Sequence, residues 1–439
     1  MENVNEYAYL LNKLEAAGFE AYIVGGCVRD SLLGRPINDF DITTNALPEQ
    51  IMTVFEELKV APTGLKHGTV TVIYNDIPYE VTTFRIDGSY SDSRRPDSVS
   101  FTSSLEEDLA RRDFTVNAMA MDVRGALHDP FGGRGDLSAH IIRCVGDPEK
   151  RFREDALRIL RAVRFAATLG FDIDERTSAA ARELRGLLDI ISRERCRDEL
   201  VRMVMGENFA ETALKYRDII AQVIPEFCAC FDFEQRSCYH KFNVYEHIVR
   251  AVQAAPQDTT VRTAMLFHDI CKPQMFTLDE NGVGHFKGHA EVSARAAENI
   301  MRRLRWDNDT VSDVCTIIER HSDKIVSEKQ IKRMISKMGE ENFFRLLEAK
   351  KADNCAKNEF VLEENKWFDE CAELGRHFIE ENACLKLRDL AVNGNDIISL
   401  GAQGRQVGEC LRTLLDLVID GELPNEREAL LSRAREVLR

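Results

Sequence analysis

Ile23-Val24-Gly25-Gly26-Cys27-Val28-Arg29, followed ten residues later by Asp39-Phe40-Asp41, is the stretch on which the reading of this chain turns. A glycine pair lets backbone come close to a phosphate, and a nearby arginine can hold that phosphate. Side chains of a strand alternate between faces. Asp39 and Asp41 therefore share one face, and Phe40 and Ile42 share the other, against a core. Neighbouring carboxylates can share divalent metal, one cation for the attacking hydroxyl and one for the leaving group. These are the parts needed to move a nucleotidyl group.

Working outward, residues 6–18 read as an amphipathic helix ending at a glycine, and 21–24 and 39–42 as strands. Residues 68–74 and 77–85 alternate around Asn75-Asp76, the signature of a hairpin. Within it Glu80 faces away from the apolar Tyr79 and Val81, so it can supply a third acid. Residues 87–97 lack any period and read as a loop. Asp129-Pro130-Phe131-Gly132-Gly133 marks a tight structural turn. Beyond about Pro148 the pattern is helical almost throughout, apart from a hint of a small hairpin at His285-Phe286. The fold class is α+β: a head over 1–140 with a small mixed sheet, helices over 141–230, a helical block over 231–370 and a helical tail over 371–439.

At 439 residues the chain exceeds one ordinary core, which is why several blocks are expected. No apolar run approaches a membrane span, and the polar, acidic start Met1-Glu2-Asn3-Val4-Asn5-Glu6 is no export signal. A cytoplasmic location without membrane contact is expected. The twelve cysteines are scattered, with no C-x-x-C, so reduced core thiols are expected in place of a zinc ribbon. The net charge of −16 argues against an indiscriminate nucleic-acid groove and for a local, shaped RNA site.

Two further clusters carry chemistry. In Arg111-Arg112-Asp113-Phe114-Thr115-Val116-Asn117-Ala118, the arginine pair can bind phosphate or ribose hydroxyls, and Asn117 can orient a sugar or phosphate. Glu154-Asp155-Ala156-Leu157-Arg158-Ile159-Leu160-Arg161-Ala162-Val163-Arg164-Phe165 reads as one helix. Its apolar stripe leaves Asp155, Arg158, Arg161 and Arg164 on the opposite half. A solvated face is the ordinary explanation of such charges, yet three arginines with one aspartate are an uneven mixture for one. An Asp–Arg pair can read a base edge, the Asp accepting from an exocyclic amine and the Arg donating to ring atoms. Arg161 and Arg164 can then meet phosphate.

Taken together these motifs resemble the class II tRNA nucleotidyltransferases: CCA-adding enzymes, their CC- and A-adding relatives, and bacterial poly(A) polymerases. The likeness rests on G-G-x-x-R-D-x-L-L-G…D-x-D (Gly25 to Asp41), E-V-T-T-F-R (Glu80 to Arg85), R-R-D-F-T-x-N-A (Arg111 to Ala118) and E-D-x-L-R-x-L-R-A-x-R-F (Glu154 to Phe165). It implies a polymerase-β-like head followed by an all-α neck and body, with the neck helix over 194–204. It also implies that Asp39, Asp41 and Glu80 are catalytic, the aspartates holding Mg2+. Gly25, Gly26, Arg29, Arg111, Arg112 and Asn117 would bind the nucleotide. Asp155 and Arg158 would template the incoming base, with Arg161 and Arg164 completing the pocket. Relatives that add only C tend to lack the loop over 87–97, so its presence here favours an enzyme able to add A.

Among ten histidines several fall in a suggestive order on helical patterns: His247, His268-Asp269, His289 and His321, then Asp353. Any one of them alone is more often a core or surface residue than a ligand. Imidazoles and carboxylates from separate helices can nonetheless converge on a metal inside a bundle. The set resembles an HD-type metal phosphohydrolase domain. The resemblance implies a metal (Ni, Mn, Co or Mg) on His247, His268, Asp269 and Asp353, with His289 and His321 serving a second metal or a phosphate. Cys271 stands where a glycine is common after His-Asp-Ile. Such a domain removes 2′,3′-cyclic or 2′-phosphates from RNA ends, or serves as a scaffold.

The expected function is addition of C, C and A to the tRNA 3′ end from CTP and ATP. The alternatives are an A-adding enzyme, a poly(A) polymerase, or an HD-type phosphohydrolase with a non-catalytic RNA-binding head. A processive poly(A) polymerase should carry basic RNA-binding surface, which the acidic composition disfavours. The tail is expected to bind tRNA or to pack.

Overall fold

The computed structural model describes residues 4–37, 39–88, 99–381 and 383–439. The chain forms two compact units, Met1–Pro225 and Glu226–Arg439. The four expected blocks are thus grouped in pairs, head with helical middle and histidine block with tail.

The first unit is built on a seven-stranded mixed sheet. Its centre is Ala21–Val24, antiparallel to Asp41–Thr44, which runs parallel to Ile77–Thr83. Ile77–Thr83 closes the hairpin with Thr69–Tyr74 across Asn75 and Asp76, both at positive φ, as a tight two-residue hairpin turn requires. The second aspartate strand begins at Asp41, not at Asp39 as the alternation predicts. The reason lies in its neighbour: Val24 is the last residue of the central strand and pairs with Asp41, and at Gly25 the chain turns away (φ +81°), so nothing pairs with Asp39. The alternation of faces persists, since Phe40 and Ile42 are buried while Asp39 and Asp41 are not.

The paired strands Arg85–Asp87 and Val99–Phe101 flank the expected loop, whose residues 89–97 lie outside the described residues. Asp129 closes its turn as expected, accepting from the backbone N–H of Gly133 (2.6 Å) and Arg134 (2.9 Å). Helices Leu157–Leu169 and Arg193–Val204 pack against each other, and the first also packs against the short parallel pair Ile141–Ile142 and Asp172–Ile173. The run 154–165, expected as one helix, is broken. A helix Pro148–Glu154 stops at Asp155, whose backbone is extended, and a new helix starts at Leu157.

The second unit is helical apart from a two-stranded ribbon, Thr277–Leu278 with Gly284–His285, where a small hairpin was expected. Its last three helices, Gly394–Ser399, Arg405–Ile419 and Arg427–Val437, enclose a core of their own around Ile397, Leu414 and Leu430. Among the described residues, no helix is long and apolar enough to cross a membrane.

Candidate active site and metal centre

In the first unit a cavity of about 370 Å³ opens beside the end of the central strand. Gly25 and Gly26 form one wall, where a helix starts with its backbone N–H groups unpaired and suited to an anion. Gly25 has φ +81° and ψ −129°, and a Cβ there would lie 3.0 Å from Arg112 Nη1. Only glycine fits that backbone and that approach.

Asp39 and Asp41 stand at the mouth. The register places Glu80 directly beside Asp41 on the same sheet face, resolving where the third acid points. Burial, followed by the Asp41 and Asp39 charges, raises the Glu80 carboxyl above its ordinary range. Asp41 is raised by burial and by Asp39, against the pull of Arg112. Asp41 and Glu80, both pushed toward the neutral form with Asp39 beside them, are a fit for divalent cation, which would relieve their repulsion.

The arginines form one connected network. Arg29 grips Asp30 through Nε and Nη2 and donates to Asn117 Oδ1 at 2.7 Å. Asn117 donates to Asp113 Oδ1 (3.1 Å), and Arg161 donates twice to Asp113 Oδ2 (2.8 and 2.6 Å). Arg164 donates to Glu199 Oε2 (2.9 Å), and Arg161 lies 3.7 Å from the other Glu199 oxygen. The Phe165 ring stacks under the Arg164 guanidinium at 3.6 Å, with those of Arg29 and Arg161 beside it. Burial alone would raise the Asp113 carboxyl; the Arg161 guanidinium and the Asn117 hydrogen bond overrule it and hold it well below its usual range.

Of the residues singled out from sequence, Gly25, Gly26, Arg29, Asp39, Asp41, Arg112, Asn117, Arg161 and Arg164 line this one cavity. Four others do not. Arg111 turns to the buried Asp108 (2.8 Å). Glu80 stands behind Asp41. Asp155, at the helix break, is held by Arg195 at 2.7 Å. Arg158 is buried, donating to Glu154 (3.0 Å) and to the Arg111 carbonyl (2.9 Å). Asp113, Glu199, Phe165 and Arg202 went unassigned from sequence. Glu199 carried a readable signal: it falls on the apolar stripe of Cys196, Leu200 and Met203, where an unpaired acid would be costly.

The second unit holds the histidine cluster. Five helices deliver it: His247 within Val244–Ala254, His268 and His321 at the C-terminal ends of Thr259–Phe267 and Asn308–Arg320, His289 at the start of His289–Arg303, and Asp353 within Glu340–Cys355. Each ring's Nδ1 lies on a backbone carbonyl: Ala356 (3.1 Å), Met265 (2.7 Å), Phe286 (2.7 Å) and Ile318 (2.6 Å). A carbonyl can only accept, so every Nδ1 carries the proton and every Nε2 turns a lone pair inward.

Those lone pairs meet. His247 and His268 Nε2 are 3.2 Å apart, as are His289 and His321 Nε2. Two such nitrogens in contact in a buried site need a positive charge between them, either a proton or a metal cation. Asp269 joins the halves, with Oδ2 3.1 Å from both His247 and His268 and Oδ1 3.2 Å from His289. Neither of its oxygens accepts a well-aligned hydrogen bond. Two ligand sets result, His247, His268, Asp269 and Asp353, then Asp269, His289 and His321, with Asp269 able to bridge. Lys272 and Lys357 balance the acids, at 2.6 Å from Asp269 and Asp353.

Comparison with known proteins covers both units. The family described as "Poly A polymerase head domain" matches residues 21–143, "Probable RNA and SrmB-binding site of polymerase A" matches 170–231, and "tRNA nucleotidyltransferase domain 2" matches 285–434. The CCA-adding enzyme of Enterococcus faecalis is 32% identical over 98% of this chain and 95% of its own length. That of Lactobacillus helveticus is 51% identical over 219 residues, so the chain spans about half (54%) of that relative. The crystal structure of the Bacillus stearothermophilus CCA-adding enzyme in complex with CTP superposes with a TM-score of 0.76, at 32% identity over 99% of this chain and 98% of that one.

Proposed function

The chain belongs to the CCA-adding enzyme family of tRNA nucleotidyltransferases, and from that premise we propose that it adds C, C and A in turn to the 3′ end of tRNA from CTP and ATP, without a nucleic-acid template. The family uses divalent metal. The observation that carries the proposal is the pair Asp39 and Asp41, with Glu80 next to Asp41 on the neighbouring strand, lining one small cavity together with the arginine network.

In this reading Asp39 and Asp41 hold Mg2+, with Glu80 beside them. Bound there, the cation supplies Lewis acidity to the 3′ hydroxyl and charge neutralisation to the triphosphate. The backbone at Gly25 and Gly26 approaches the phosphates, and Arg29 and Arg112 hold their charge. Arg161 and Arg164 close the pocket around the nucleotide, kept in place by Asp113 and Glu199. The 3′ hydroxyl loses its proton to water as its oxygen bonds to the α-phosphorus of the nucleotide; the bond from that phosphorus to the oxygen bridging to the β-phosphate breaks, and pyrophosphate leaves with that oxygen and its charge. Base choice falls to Asp155 and Arg158, the latter donating to the Arg111 carbonyl, with Arg111 itself assigned to the nucleotide. Both must exchange present partners, Arg195 and Glu154, to reach a base. Asp155→Ala is therefore expected to cut discrimination between CTP and ATP by about ten-fold; unchanged discrimination would take base choice away from this pair. The cytoplasm, where tRNA matures, is the compartment this reading implies, and the tail over 371–439 is assigned to packing or to tRNA contact.

The deciding experiment offers the purified chain tRNAs lacking three, two or one of their terminal nucleotides, with CTP and ATP separately. Two C and then one A are expected. Addition of A alone would mark an A-adding specialist, and a long A tail on unrelated RNA a poly(A) polymerase.

The histidine cluster supports a second activity, metal-dependent hydrolysis of 2′,3′-cyclic phosphates or 2′-phosphates. The four inward Nε2 lone pairs and the bridging Asp269 suit divalent Ni, Mn, Co or Mg. Elemental analysis of the purified chain should find one to two such ions per molecule. A chain that holds none after incubation with each metal, and cleaves no phosphate ester, would reduce the cluster to a scaffold.

A further inference from the structure

The metal centre lies at the floor of a cavity of about 620 Å³, whose walls carry lysines matched by as many acids, together with aromatic rings. Lys272, Lys350 and Lys357 are on the inner wall, while Tyr239 (55% exposed) and Val326 (69% exposed) stand at the rim. Asp323 and Lys324 belong to this cavity and also to a second one, of about 420 Å³, on the adjoining surface. That second cleft is lined by Arg320, Lys324, Arg333 and Lys337 against one acid, Asp323. In a chain of net charge −16 a cleft with four cations and one acid is a local reversal of sign. Arg320 leans on Asp323 (3.2 Å) and Arg333 on Asp420 (2.5 Å). The exposed Lys324 and Lys337 pair with no carboxylate among the described residues.

A free nucleotide fills only the inner cavity. A cleft of cations that shares a wall with it, and an exposed aromatic ring at its rim, are what single-stranded nucleic acid uses: cations track the backbone and a ring stacks a base. We propose that the histidine site takes the phosphorylated end of an RNA strand and not a free nucleotide. The terminal phosphate meets the metal centre, the terminal base stacks on Tyr239, and the preceding backbone phosphates run through the cleft along Lys324 and Lys337. RNA is favoured over DNA because the chain's family acts on RNA ends and a 2′,3′-cyclic phosphate requires the 2′ oxygen. The inference rests on the hydrolase reading of the same site.

The test compares two substrates on the full chain loaded with Mn2+ or Ni2+: a nucleoside 2′,3′-cyclic phosphate and a six-nucleotide RNA ending in the same group. Water adds its oxygen to phosphorus, one phosphorus–ribose oxygen bond opens, and the freed ribose oxygen takes a proton. The KM for the oligonucleotide should be at least about ten-fold lower. Arg333→Gln with Lys337→Glu, which change the outer cleft alone, should remove most of that advantage and leave the mononucleotide KM and both kcat values within two-fold or so. A Tyr239→Ala chain should raise the KM of both substrates by a similar factor, since both carry the terminal base, and should do so even at high salt, where backbone contacts are screened. Equal KM values for the two substrates, or an advantage that survives the double substitution, would overturn the inference while leaving the hydrolase reading intact. If neither substrate nor bis(p-nitrophenyl) phosphate is cleaved, the hydrolase reading fails and this inference falls with it.

Discussion

The two candidate sites hold their charged groups in opposite ways. In the first unit three arginines of the pocket are tied to acidic side chains: Arg29 to Asp30, Arg161 to Asp113 and Arg164 to Glu199. In the second unit the four imidazoles are fixed by backbone carbonyls, and their free nitrogens converge. Side-chain pairs can be exchanged for a substrate's phosphates and bases. Backbone anchors cannot be exchanged without unwinding a helix end. The first arrangement suits a site that accepts different nucleotides in succession and releases pyrophosphate. The second suits a resident cation.

If that contrast is sound, the largest single effect should come from the one place where the first site depends on backbone. Gly25→Ala forces a Cβ into a conformation that only glycine adopts and against the Arg112 guanidinium. Strain of about 1–3 kcal/mol at such a position, concentrated on phosphate-binding backbone, predicts roughly a hundred-fold loss of nucleotide incorporation. Steady-state incorporation with a thermal melt as control would check this; a near-wild-type rate would show that the glycine turn does not hold phosphate.

In the second unit, Asp269→Asn is expected to lower metal content to less than half of wild type, since both ligand sets share that residue. Nucleotide incorporation should not change. Elemental analysis beside a tRNA assay reads both; retained metal would mean that Asp269 does not bridge.

A smaller effect sharpens the contrast through pH. Asp113 has its folded-state pKa depressed below the unfolded value of about 3.9. Its contribution is therefore present above about pH 4 and lost as pH falls toward the folded value. Acid unfolding followed by circular dichroism should be less steep in Asp113→Asn, where that linkage is gone. An unaltered acid limb would place the linkage elsewhere.

Much of this was legible in the sequence because local rules fixed it. The Asn75-Asp76 turn fixes the hairpin register, whereas the position of Glu80 beside Asp41 comes from the parallel pairing of the hairpin's second strand with Asp41–Thr44. The order of His247, His268-Asp269, His289, His321 and Asp353 on helical patterns announced a convergent site. What escaped the sequence was set by partners far along the chain. Asp39 falls outside the ladder because the neighbouring strand ends at Val24. The helix break at Asp155 goes with a salt bridge to Arg195, forty residues on, which no local period encodes. The roles of Asp113 and Glu199 depend on arginines that reach them across the fold, and only a buried acid on an apolar stripe hinted at one of them.

The most direct measurement separates the two sites in one assay: addition of C, C and A to a truncated tRNA by a chain carrying Asp39→Asn with Asp41→Asn, beside a chain carrying His268→Ala with Asp269→Asn. The first should incorporate nothing above background while the second keeps the wild-type rate. Incorporation by the Asp39→Asn, Asp41→Asn chain within about ten-fold of wild type would contradict the assignment of nucleotidyl transfer to the carboxylates of the first unit.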